Sequence, residues 1–170
     1  MTKIIETNRL IFRRYTEDDI DSLFRILSDP ITMGFWPSPF SYELVSSWIK
    51  RNLSNYQELG FGRWAVILKE SGELIGDCGI TRSDLNGTME NDLGYIIDHN
   101  YWNRGYAFEA ANACKNYAFE QLKLERLCAN MPINHSRSKN VALKIGMNLE
   151  KVFINHRNRD IQTYLLSIEV

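Results

Sequence analysis

The stretch Leu93-Gly94-Tyr95-Ile96-Ile97-Asp98-His99-Asn100-Tyr101-Trp102-Asn103-Arg104-Gly105-Tyr106-Ala107-Phe108-Glu109-Ala110 constrains this chain more than any other. It reads as a strand that ends in a tight turn, followed by a helix that opens at a glycine. The first N–H groups of a helix have no partner inside it, and the helix dipole adds partial positive charge there. Gly105 removes the side chain that would obstruct an anion, and Ala107 leaves the second approach nearly as open. A helix start of this kind suits phosphate, and Arg104 adds a charge-assisted contact. One glycine alone is weak evidence, because glycine often only shapes a turn. No Gly-Lys-Ser/Thr follows, so this is not a Walker loop. The three spaced glycines of a dinucleotide fingerprint are absent as well.

The helix itself carries Ala107, Ala110, Ala111, Cys114 and Ala118 at helical spacing. A stripe of small residues lets a helix lie close to a sheet, which would fix its start beside the strand end. Elsewhere the pattern predicts a strand from Arg9 to Tyr15, with Leu10 and Phe12 alternating against Arg9, Ile11 and Arg13. Thr16 reads as an N-cap, and the helix after it should stop at Asp29-Pro30. Ser41 should cap a second helix running to about Leu59. Strands follow at Phe61–Leu68, Glu73–Thr81 and Asp92–Asp98, then the long helix to about Leu122. The remainder reads as a strand at Arg126–Met131, a short helix at Arg137–Ile145, and strands at Asn148–Asn155 and Gln162–Glu169. This order implies an α/β (α+β) arrangement with helices on both faces of a mixed sheet.

Composition narrows the function. The 170 residues are 44% hydrophobic and 24% charged, the balance of one globular domain spanning residues 1–170. The net charge of −1 argues against nucleic acid, whose binders usually carry a basic excess. Arg9, Arg13 and Arg14 form a local patch that reads as a solvated strand face. No apolar run approaches the roughly 20 residues that span a bilayer. The opening Met1-Thr2-Lys3-Ile4-Ile5-Glu6 lacks a signal peptide's apolar stretch, so a cytoplasmic protein with no membrane partner is expected. Cys78, Cys114 and Cys128 read as reduced core thiols. His99, His135 and His156 share no ligand spacing, so no metal is expected.

Trp102-Asn103-Arg104-Gly105-Tyr106-Ala107 resembles the acyl-CoA signature of the GNAT acetyltransferases, Gln/Arg-x-x-Gly-x-Gly/Ala. Gly94-Tyr95, Tyr101-Trp102 and Glu109-Ala110 resemble more narrowly the branch of ribosomal-protein N-terminal acetyltransferases. So do Glu6 to Arg13, Ile75-Gly76 and Val141 to Met147. The likeness runs in order along nearly the whole chain. It implies one GNAT domain with a mostly antiparallel sheet of six to seven strands and about four helices. It implies acetyl-CoA as cofactor and an amine as acceptor, either a protein N-terminus or a small amine such as an antibiotic, amino acid or polyamine. A non-catalytic acyl-CoA-binding module is the other reading, and a monomer or a homodimer is equally compatible.

The resemblance also assigns roles. Residues Trp102 to Ala107 would hold the pyrophosphate, with backbone N–H groups from Asn103 onward as donors. The pantetheine arm would pair with the strand around Ile96 and Ile97, and the Ile97 N–H would face the thioester oxygen. Asp92 stands where the branch commonly has a glutamate, which makes it the candidate general base, acting through water because its side chain is shorter. The tyrosine that many GNAT enzymes use as general acid is replaced by Ala142. Ser138 is the candidate contact to the thiolate, its alternative role being a helix cap. His135 occupies the family's asparagine position and Asn134 precedes it. Trp36, Phe40 and Tyr164 are candidate acceptor-site residues, and Asp160 with Tyr164 matches a late motif of the branch. Trp64, in a strand, reads as core.

Overall fold

A computed structural model describes residues 2–170. Eight strands form one sheet: β1 (Lys3–Glu6), β2 (Leu10–Arg13), β3 (Arg63–Leu68), β4 (Leu74–Leu85), β5 (Thr88–Ile97), β6 (Arg126–Pro132), β7 (Asn148–Asn155) and β8 (Ile161–Glu169). Four helices accompany them: α1 (Ile20–Leu27), α2 (Tyr42–Glu58), α3 (Tyr106–Glu120) and α4 (Ser136–Lys144). The sheet order is β1-β2-β3-β4-β5-β6-β8-β7. Every neighbouring pair is antiparallel except β5 and β6, the pair that α3 connects. A parallel pair needs such a crossover, so the single parallel contact follows from the single strand-helix-strand unit.

The count is eight strands rather than six or seven. The extra one is β1, four residues that pair with β2 and show no alternation strong enough to announce a strand. The sheet also extends through residues 82–91, where no strand is expected. β4 and β5 run on into a hairpin closed by Leu85 and Thr88. Asn86 and Gly87 make its turn at φ of 57° and 90°, the positive values a two-residue hairpin loop requires.

Alternation divides the core between two faces. From β3, Trp64, Val66 and Leu68 pack toward α3, and Ala65 and Ile67 pack toward α1 and α2. β3 is buried on both sides, which explains its continuous apolar run. Trp64 is core, 1% exposed and edge-on to Tyr117. On α3, Ala110, Ala111, Cys114 and Ala118 are fully buried, so the small-residue stripe does seat the helix against the sheet. The three cysteines are free and buried. Ser41 caps α2 by accepting from the Leu44 N–H at 3.2 Å. No helix of the described residues is long and apolar enough to cross a membrane.

Candidate active site

β5 and β6 meet through one register pair, Asp92 with Cys128, and then part. β6 pairs with β8 over its full length instead. Beyond Asp92 the β6-facing edge of β5 is therefore open, and α3 begins nearby. Which amides face the gap follows from the hairpin. Counting from the closing pair Leu85 and Thr88, antiparallel residues alternate between hydrogen-bonded and non-hydrogen-bonded pairs. Ile97 falls on a non-hydrogen-bonded pair with Gly76, and the Asp98 N–H bond to the Ile75 carbonyl at 2.9 Å agrees. The main-chain groups of Tyr95 and Ile97 thus point into the gap. Those of Ile96 are spent on β4, which corrects its assignment as an edge donor. Its side chain packs with α1 and α2.

At the other side of the gap Gly105 is the N-cap of α3, with φ of +80°. It has no side chain to cap the helix, so the leading N–H groups of α3 stay available. A Cβ at Gly105 would meet only Arg9 Nη2, at 3.4 Å. Asn103 also adopts a positive φ, 62°, which turns the chain into the helix. Trp102 ties this loop to the strand: its indole N–H donates to the Ile97 carbonyl at 2.7 Å. The Arg137 guanidinium lies 3.9 Å from the Trp102 ring centroid and that of Arg104 lies 5.6 Å from the Tyr101 ring centroid.

Arg9 was not foreseen as part of this region. Its Nε donates to Glu109 at 2.6 Å, its Nη1 to the Arg104 carbonyl at 2.9 Å, and its guanidinium lies over Tyr106. Glu109 also accepts from Thr7 Oγ1 and the Arg9 N–H, and these bonds hold its carboxyl below the usual range. Arg9 therefore braces the opening turn of α3 instead of facing solvent freely. Arg13 is likewise committed, to Asp19 at 2.8 Å, and Arg14 lies over Tyr56. Of the expected solvated patch, Arg14 is exposed, while Arg9 and Arg13 are engaged.

A cleft of about 650 Å³ opens on the α2 side, lined among others by Trp36, Asp92, Ile96 and Ser138. Asn130 Nδ2 reaches across from β6 to both Asp92 oxygens at 3.2 Å. Burial pushes Asp92 up to about 6, against the lowering influence of Arg63, Asn130 and Ser83. A carboxylate with this pKa is largely ionised at neutral pH and still basic enough to take a proton.

Ser138 lies in the first turn of α4, where the N-cap is His135, so capping is not its role. Tyr95 donates to the Ser138 carbonyl at 2.7 Å, and Ser138 Oγ donates to the Tyr95 hydroxyl at 3.3 Å. The phenol thus reaches α4 from the strand, a contact the sequence pattern did not single out. Asn134 is exposed. The His135 ring stacks on Phe35 at 3.9 Å, and burial lowers its pKa to about 4.

Of the acceptor-site candidates, Trp36 lines the cleft. Phe40 stands behind it, edge-on to Trp36 at 5.5 Å and to Trp48 at 5.6 Å. Tyr164 belongs to the opposite, α3-side cluster, with Lys139 over its ring. Asp160 is exposed and paired with His156 at 2.7 Å. Neither walls the cleft: Tyr164 lies on the α3-side face of β8, and Asp160 points out from the β7–β8 turn. Asn158 does wall it, donating to the Phe35 carbonyl at 2.9 Å, and Arg159 donates to the Trp36 carbonyl at 3.3 Å. These bonds strap the 33–40 loop to the β7–β8 turn.

Comparison with known proteins agrees with this geometry. Residues 9–148 match the family described as acetyltransferase (GNAT) domain. The chain is 31% identical over 150 residues to the uncharacterized N-acetyltransferase YnaD of Bacillus subtilis, covering 88% of this chain and 85% of that one. An acetyltransferase structure from Agrobacterium tumefaciens superposes at a TM-score of 0.83 with 26% identity, covering 100% of this chain and 95% of the other. The ribosomal-protein-S5-alanine acetyltransferase of Vibrio fischeri, at 15% identity and a TM-score of 0.81 over 99% and 97% of the two chains, shares the fold. The chain belongs to the GNAT acetyltransferase family.

Proposed function

We propose that this enzyme transfers the acetyl group of acetyl-CoA to the primary amine of a small acceptor. The observation that carries the reading is the open β5 edge beside a helix start that has no side-chain cap. The residues present suit the cofactor: a backbone cradle at Gly105 for its pyrophosphate, and the Tyr95 and Ile97 amide groups for its arm. Bound there, acetyl-CoA supplies the activated acyl group.

The chain's own residues account for the rest. The N–H of Ile97 is an oxyanion donor for the thioester oxygen, and one such donor contributes about 3 to 4 kcal/mol to transition-state stabilisation. Asp92 takes the proton that the acceptor ammonium must lose. Ser138 faces the departing thiolate, held in place by Tyr95. The ribosomal N-terminus is the alternative acceptor; the small amine is favoured because the Asn158–Phe35 bond ties two segments of the cleft wall together.

Incubation with acetyl-CoA and a panel of amines tests the reading. Free CoA thiol should appear only when an acceptor amine is present. No binding of acetyl-CoA in a calorimetric titration would end it.

A further inference from the structure

Two guanidinium groups flank one indole in the cleft wall. Arg51 Cζ lies 5.3 Å and Arg63 Cζ 5.2 Å from the Trp48 ring centroid. The carboxylate paired with Arg63 is Asp77, and it is fully occupied. It accepts from Tyr15 at 2.5 Å, from Trp48 Nε1 at 2.8 Å and from Arg63 Nε at 2.6 Å. Arg51 has no ion-pair partner among the described residues. Arg51 is therefore a cleft-lining charge that no carboxylate of the described residues pairs.

Arg63 is anchored within the same wall. It is 4% exposed, and its Nη2, without a hydrogen bond of its own, is held in an ion pair with Asp77 at 2.6 Å. Among the described residues the other buried side-chain atoms without a partner are His135 Nδ1 and Asn158 Oδ1. All three residues line this same cleft. Buried polar groups of this kind are commonly satisfied by water, so the cleft floor is polar.

The position of the charge relative to Asp92 completes the argument. Asp92 and Gly94 point to the same face of β5, and Arg63 Nη1 rests against Gly94. Arg63 thus sits about 7 Å along the strand from Asp92, a two-residue repeat. That spacing fits an amine and an anion separated by a few bonds.

We propose that the acceptor is a small amine that also bears an anionic group, its anion held at Arg51 and Arg63 while its amine faces Asp92. The proposal rests on the acetyl-transfer reading above. Trp36 and Trp48 form the apolar wall between the two ends.

The test compares matched acceptors with acetyl-CoA: β-alanine, its methyl ester, propylamine and phosphoethanolamine. The carboxylate or the phosphate amine should exceed the neutral amines at least tenfold in kcat/KM, and the pair distinguishes the two anions. Arg51→Gln, on an exposed helix position, should bring kcat/KM for the anionic acceptor down to that of its neutral analogue. Equal use of charged and neutral amines overturns the proposal, as does a preference that survives Arg51→Gln in a variant of unchanged melting temperature. Transfer to propylamine alone leaves the acetyltransferase reading standing and removes this one. Transfer to no amine removes both.

Discussion

Arg63 Nη1 occupies the space that a side chain on Gly94 would need: an added Cβ would lie 1.6 Å from it and 2.4 Å from Cζ. The glycine is therefore required by a neighbour's side chain, not by its own backbone angle. Gly94→Ala should expel the guanidinium from Asp77 and leave a buried charge unpaired. Breaking such a pair costs about 3 to 5 kcal/mol. Thermal denaturation should show a large fall in melting temperature, whereas Gly87→Ala, in an open turn, should show a smaller one, set by the about 1 to 2 kcal/mol of its left-handed backbone. An undisturbed Gly94→Ala protein would contradict the packing.

At Gly105 space is not the obstacle. Gly105→Glu should fold, at about 1 to 2 kcal/mol for the left-handed backbone. It places a carboxylate at the proposed phosphate site, so CoA affinity should fall at least tenfold. Calorimetric titration with CoA alongside a melting curve separates the two effects. Retained affinity in the folded variant would remove the phosphate site from this helix.

The raised pKa of Asp92 sets a pH dependence of known sign. A base must be ionised, so kcat/KM should rise with pH and level off above about 6. Asp92→Asn should abolish that limb and leave CoA binding intact. Because the folded value lies above the unfolded value of about 3.9, ionising Asp92 opposes folding. The proton-bound state's advantage is complete below about 3.9 and lost as pH climbs through about 6. The asparagine variant should accordingly gain stability relative to wild type as pH rises through this window, as paired melting curves can show.

Asn158→Ala removes the donor to the Phe35 carbonyl and loosens the strap. Losing one neutral hydrogen bond costs about 1 kcal/mol, so the fold should survive. Acceptor range should widen: bulky amines should gain rate, and KM for small acceptors should rise several-fold. A steady-state acceptor profile that matches wild type would argue against the strap as a size filter.

Local chemistry was legible before any coordinates. Ser41, the Asp29-Pro30 stop and the glycine that opens α3 each act within a few residues, so each could be read along the chain. The Asn86-Gly87 turn carried an equally local hairpin signal, and it also decides the parity of β5. Missing it is why Ile96 stood beside Ile97 as an edge donor when the register turns Ile96 inward. Tyr164 failed for a different reason. Motif spacing places a residue on a strand but does not say which face that strand buries. The Arg63–Asp77–Trp48 cluster was out of reach altogether, because it joins β3, β4 and α2 through packing that no local pattern encodes. The same holds for the Arg9 brace, whose partner lies 100 residues away.

That brace has a kinetic meaning. Arg9 and Thr7 reach Glu109 only after a very long loop has closed, and contacts so remote in sequence form late. The opening turn of α3 is thus stapled by the segment between β1 and β2. In refolding, recovery of CoA affinity should coincide with completion of the whole sheet, and clipping the chain after Arg9 should loosen the opening turn of α3 although the residues of that turn are all intact.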